Sequence, residues 1–134
     1  MLNKGSVSLS DIRMYNPLVL AYVGDAVYEL YIRTQLVSSG SMQVAKLHKR
    51  SINYVKAKSQ AEILSGIEDI LTEEELDIVR RGRNTKSATV PKNADISDYR
   101  YATGFESLLG YLYLIGSIER LMEILNRVMV VRNT

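Results

Sequence analysis

Apolar side chains recur along the chain at the three-to-four-residue spacing of helical faces. The first run carries Leu18, Ala21, Tyr22, Tyr28 and Ile32. Just before it, Asn16-Pro17 pairs a good N-cap residue with a proline suited to the first helical position, so a helix is predicted from about residue 17 to 38, ended by Gly40. Val44, Leu47, Ile52, Val55, Ala61 and Ile63 continue the pattern as one helix or two, with Ser51-Ile52-Asn53 or Lys58-Ser59 as the possible breaks. Thr72-Glu73-Glu74-Glu75 has the form of a capping box and opens a helix through Leu76, Ile78 and Val79 that stops near Gly82. Ser97 caps a helix to about Ile115, rich in Tyr99, Tyr101, Phe105, Leu108, Leu109, Leu112 and Leu114. Gly116 then breaks the chain, and Ser117 caps a last amphipathic helix through Val131. No segment alternates at the strand period. The pattern predicts an all-α fold of about five to seven helices in a single domain, residues 1–134.

Residues 83 to 96 form the one long predicted loop. It is polar and basic, and about as long as ordered loops in compact domains become, which suits a lid or an arm that contacts a ligand.

The chain has 134 residues, of which 46% are hydrophobic, enough for one sizeable core. Cysteine is absent, which excludes disulfides, thiolate catalysis and cysteine-bound zinc. His48 is the sole histidine and cannot supply a paired-histidine site. A Ser-His-Asp arrangement through it is formally open, but Lys46-Leu47-His48-Lys49-Arg50 reads better as a solvated basic face. A metal used by this chain would therefore sit on oxygen ligands, which favours Mg²⁺ or Mn²⁺. The first residues, Met1 to Pro17, hold no apolar run of signal-peptide length, and the uncharged stretch Ser107 to Ile118 is too short to span a bilayer. A cytoplasmic protein with no membrane partner is expected.

The net charge of +2 hides a segregation. Tyr31 to Ala61 holds no acid but carries Arg33, Lys46, Lys49, Arg50, Lys56 and Lys58; Glu62 to Asp77 holds no base but carries seven acids. Arg80, Arg81, Arg83, Lys86 and Lys92 then follow with no acid before Asp95. Two basic blocks beside an acidic one can form a polyanion-binding face, and nucleic acid is the commonest such partner. Ordinary solvated helix faces would give the same charges.

Two acids stand in apolar surroundings. Asp25 lies within Leu18 to Val27, and Glu106 within Gly104-Phe105-Glu106-Ser107-Leu108-Leu109-Gly110, each near glycines that permit close approach of a backbone or ligand. The expectation is a pair of carboxylates on two buried helices, able to hold a divalent cation. The alternatives are that each pairs with a buried arginine or a tyrosine hydroxyl, or that the helix faces outward more than its apolar run suggests. Glu29, one turn beyond Asp25, can join the cluster or bridge to Arg33.

The run Ala21-Tyr22-Val23-Gly24-Asp25-Ala26-Val27-Tyr28-Glu29-Leu30 resembles the signature helix of the ribonuclease III family, and Ala102-Thr103-Gly104-Phe105-Glu106-Ser107-Leu108-Leu109-Gly110 resembles its second acidic motif. With Arg80-Arg81-Gly82-Arg83-Asn84 and Tyr99-Arg100-Tyr101, the chain is similar to the Mini-ribonuclease III branch from Asn16 onward. Longer members carry further glutamates where this chain has Leu18 and Ala21, and an aspartate where it has Thr103. The branch shares the reduced set, and no double-stranded RNA-binding domain follows within these residues. The resemblance implies a ribonuclease III-like fold and an endonuclease in which Asp25 and Glu106 hold Mg²⁺, with Mn²⁺ able to substitute. It implies a homodimer acting on double-stranded RNA, usually precursor large-subunit (23S) ribosomal RNA, cut to leave a 5′ phosphate and a short 3′ overhang. Arg80, Arg81, Arg83, Asn84, Lys86 and Lys92 are the expected RNA contacts. The competing expectations are a non-catalytic RNA-binding or ribosome-associated protein with the same fold, and a helical dimerisation module.

Overall fold

The computed structural model describes residues 9–40, 43–86 and 95–133. Among them are seven α-helices and no strand: α1 (Leu9–Arg13), α2 (Pro17–Ser38), α3 (Val44–Val55), α4 (Ala57–Ile67), α5 (Glu73–Asn84), α6 (Ile96–Leu114) and α7 (Ile118–Arg132), with a 3₁₀ turn at Glu68–Ile70 before α5. No helix among the described residues is long and apolar enough to cross a membrane.

The local signals act as their chemistry requires. Asn16 accepts a hydrogen bond from the Leu18 amide ahead of Pro17. Thr72 and Glu75 close a capping box, each side chain accepting from the other's backbone amide. Glu75 is also gripped by Arg120 of α7, whose guanidinium donates to both carboxylate oxygens at 2.8 Å. Burial and paired donors make that contact a tie between α5 and α7 rather than a solvated surface pair.

Four features differ from the pattern. The α3–α4 break falls at Lys56, whose extended backbone (ψ 152°) interrupts the helix between both expected positions. Helix α5 runs past Gly82 to Asn84, because Gly82 is an internal contact: a Cβ there would stand 2.6 Å from the Ser107 hydroxyl and 2.9 Å from Gly104 Cα. Asp95 rather than Ser97 caps α6, accepting from the Asp98 amide. Helix α1 lies in a stretch without apolar periodicity, so the pattern gives no sign of it.

Helix α6 is the central element, packed by α2, α4, α5 and α7. Every residue from Ala102 to Leu112 is buried except Glu106, which is half-buried. A helix enclosed on all sides has no polar stripe, hence the scarcity of charged residues from Ala102 to Leu112. Tyr28 and Phe105 meet edge to face with ring centres 5.2 Å apart at the middle of a core that includes Ile32, Ile63, Leu64, Ile78, Leu109 and Ile124.

Candidate active site

The crossing of α2 over α6 builds the site. A Cβ on Gly24 would overlap the Glu106 carbonyl oxygen, and one on Gly110 the Leu20 carbonyl oxygen, so the two backbones touch. Asp25 follows Gly24 in sequence, and its carboxyl group comes close enough to Glu106 to raise that acid's pKa. The expected pair is therefore formed.

Its environment differs from the expectation on one side. Asp25 is exposed, not buried, since the outer face of α2 carries Val19, Tyr22, Leu30 and Val37 in the open. Apolar composition on every side of a helix does not distinguish a buried helix from one with a bare apolar face, and for Asp25 the alternative of an outward-facing helix is the one observed. Glu106 fits the expectation better. Its pKa is pushed up to about 8, by burial first and by the neighbouring Asp25 charge second; a hydrogen bond from Gln60 opposes the shift, and Glu29 adds a smaller push. Glu29 also takes the alternative partner, Arg33, at 3.8 Å.

Gln60 is the residue that sequence reasoning missed. Its Nε2 donates to Glu106 Oε2 at 3.2 Å and to the Val55 carbonyl at 2.8 Å. The signal was present: Gln60, Ile63, Leu64 and Ile67 are spaced as one helical face, and a polar residue on that buried stripe of α4 is out of place unless it has a partner there.

Where longer ribonucleases carry acids, Leu18 and Ala21 offer no oxygen ligand, and the Thr103 hydroxyl donates to the Tyr99 carbonyl of its own helix. Accordingly, no group of three His, Asp or Glu side chains among the described residues forms a metal cage. Two neighbouring carboxyl groups, one of them, Glu106, pushed up in pKa by its burial and by the other's charge, nevertheless fit a hydrated divalent cation, which needs only one or two protein carboxylates and relieves the like-charge contact.

The basic run belongs to a different helix pairing. Helix α5 flanks α6 at Gly104, whereas α2 meets it at Glu106 and Gly110. Arg80 bonds Asp77 at 2.6 Å, Arg81 donates to the Arg13 carbonyl at 3.0 Å, and the Arg83 guanidinium lies 5.4 Å from the Tyr101 ring centre. Asn84 and Lys86 are at the end of α5, Lys86 exposed, and Lys92 lies outside the described residues.

Residues 18–117, a span that contains both acids, match the ribonuclease III domain. The chain belongs to the ribonuclease III family. Curated relatives of this ribonuclease III chain include a protein named Mini-ribonuclease 3 from Thermoanaerobacter sp. (strain X514), 58% identical over 93% of this chain and 84% of the relative. Another of that name, from Clostridium tetani, is 54% identical over 88% of this chain and 79% of its own length. A crystal structure of a Fusobacterium nucleatum protein matches with a TM-score of 0.79 at 36% identity, covering 89% of this chain and 95% of that one. The all-α expectation and the family resemblance both hold.

Proposed function

We propose that this chain hydrolyses the backbone of double-stranded RNA at the paired carboxylates of Asp25 and Glu106. Membership of the ribonuclease III family makes it a double-strand-specific endoribonuclease. The catalytic residues, the metal and the natural substrate are our reading of how it works. The observation that carries the site is the meeting of the two carboxyl groups where α2 and α6 cross.

Asp25 and Glu106 would hold Mg²⁺, with Mn²⁺ able to take its place. When bound, the ion supplies an acidified water for in-line attack and offsets charge on the scissile phosphate. Asp25, exposed at the helix surface, would meet the incoming phosphate, while Glu106 accepts a hydrogen bond from the buried Gln60. The basic residues Arg80, Arg81, Arg83, Asn84, Lys86 and Lys92 would position the duplex through phosphates and 2′-hydroxyls without reading bases.

One site cuts one strand. The outer face of α2 presents Val19, Tyr22, Leu30 and Val37, at 49, 82, 66 and 60% exposure, on a stripe that also includes Ala26 beside Asp25. Covering this stripe with a second copy about a two-fold axis would bury it and set two Asp25–Glu106 pairs in one valley, matching the pseudo-symmetry of duplex RNA. The expected product is a staggered cut with 5′ phosphates and short 3′ overhangs. The natural substrate would be precursor large-subunit (23S) ribosomal RNA in the cytoplasm.

The test is cleavage of a plain RNA duplex by the pure protein. We expect cutting of both strands with Mg²⁺, none after chelation, and none of either strand alone. Binding of the duplex without cleavage under any divalent metal would instead make it a non-catalytic RNA-binding protein.

A further inference from the structure

A leucine at position 60 would satisfy the packing of α4. Gln60 is 3% exposed and shares its buried stripe with Ile63, Leu64 and Ile67, none of which is exposed at all. An amide in such a place is unfavourable unless hydrogen-bonded, and an atom left unpaired keeps its full desolvation cost. Here that happens: Oε1 is buried without a partner, while Nε2 serves two acceptors, the Val55 carbonyl and Glu106 Oε2.

The first of these bonds has a structural use, since Val55 ends α3 and its carbonyl has no helical partner beyond the break at Lys56. The second does not. Glu106 belongs to a different helix, 46 residues on, and a carboxylate that only needed solvation would turn outward towards Asp25's open side. The amide instead fixes one carboxylate oxygen against the core and leaves the other for the site.

We infer that Gln60 is a positioning residue for the reaction: its amide holds Glu106 Oε2 and so fixes the Glu106 carboxylate in the orientation from which it acts with Asp25. The inference rests on the assignment of Glu106 to the active site. Hydrogen-bonded neighbours that orient metal-binding carboxylates commonly change affinity or activity by 10- to 100-fold when removed.

The deciding variant is Gln60→Leu, with a similar volume and no amide. We expect kcat on duplex RNA to fall by at least about tenfold with KM within twofold. Mn²⁺ affinity of the RNA-free protein, measured by calorimetry, should weaken several-fold, while circular dichroism is unchanged. Wild-type kcat and Mn²⁺ affinity would overturn the inference, as would a loss confined to KM or one that only follows the folded fraction. If removal of the Val55 bond prevents folding, the wild-type protein still decides: the Gln60 side-chain amide signals in a nitrogen-edited NMR spectrum should shift on Mg²⁺ addition and again in Glu106→Gln. Signals that ignore both would leave Gln60 as a cap for α3 alone. Failure of the active-site assignment looks different, because Asp25→Asn and Glu106→Gln would then remain active whatever Gln60 does.

Discussion

Gly24 of α2 and Gly110 of α6 face each other across a crossing too tight for any side chain, each lying against backbone of the opposite helix. Asp25 and Glu106 owe their proximity to that contact, since one is the next residue after Gly24 and the other lies one helical turn before Gly110.

Replacing Gly24 with alanine should therefore damage both stability and the site. A methyl group forced against backbone costs about 1–3 kcal/mol of overpacking, more than the roughly 1 kcal/mol of helix propensity gained over glycine. Thermal unfolding should show a lowered midpoint, and kcat should drop at temperatures where the variant is still folded. Gly66→Ala is the control, because its methyl would meet only the Val131 side chain, which can move. Equal behaviour of the two variants would mean that the crossing does not set the carboxylate geometry.

The pH dependence of the metal-free protein follows from Glu106. Its pKa lies at about 8 in the fold against an ordinary 4.5, so between those values the folded chain holds a proton that the unfolded chain has released. This contribution to stability is complete below about pH 4.5, falls as pH rises towards 8, and is then gone. Glu106→Gln should flatten that decline and unfold at a higher temperature than the parent at pH 8. Mg²⁺ should stabilise the parent increasingly over the same range, because binding displaces the proton. Calorimetric scans at several pH values with and without Mg²⁺ check the sign; stability that climbs from pH 5 to 8 in the metal-free protein would refute it.

How much of this was legible in the chain differs by element. The caps at Asn16 and Thr72 were readable because each satisfies helix-end amides through its own side chain, a local matter. Glu106 was readable as an acid needing a partner because it lies among apolar residues, and the resemblance of its helix and of α2 to two family motifs named Asp25 beside it. The exposure of Asp25 was legible only as an alternative, since Val19, Tyr22 and Leu30 look like core residues until the fold shows that nothing among the described residues covers them. Gly82 misled for a related reason: a glycine near a helix end is read as a stop, and only packing against Gly104 and Ser107 explains why the helix continues. The break at Lys56 left no sequence mark beyond the general run of polar residues.

The uncovered stripe on α2 predicts assembly. Light scattering at micromolar concentration should give about twice the chain mass, and Tyr22→Glu with Leu30→Glu should give a monomer of unchanged helix content. That monomer should nick duplex RNA or fail to cut it, whereas the parent should sever both strands in one encounter. A parent that is monomeric yet makes coupled double cuts would remove the two-fold arrangement.

The basic segment at the end of α5 is best tested away from the arginines that have structural partners. Arg81 and Arg83 contact Arg13 and Tyr101, so their removal mixes binding with folding. Lys86→Ala with Lys92→Ala should raise KM and reduce the slope of log affinity against log salt by about 1–2, at somewhat under one unit for each phosphate no longer neutralised. An unchanged slope would move the duplex to the other basic block, on Lys46, Lys49, Arg50, Lys56 and Lys58.

Cleavage by Asp25→Asn and Glu106→Gln tests the central claim most directly. Each change removes one carboxylate charge with almost no change in volume, and both proteins should fold, dimerise and bind duplex RNA much as the parent does. With Mg²⁺ and a plain RNA duplex, single-turnover rates should fall at least about a thousandfold in either variant, and the double variant should lose little more, because ligands acting as a unit are not additive. Substantial cleavage by either single variant, within about tenfold of the parent, would contradict an active site built on Asp25 and Glu106.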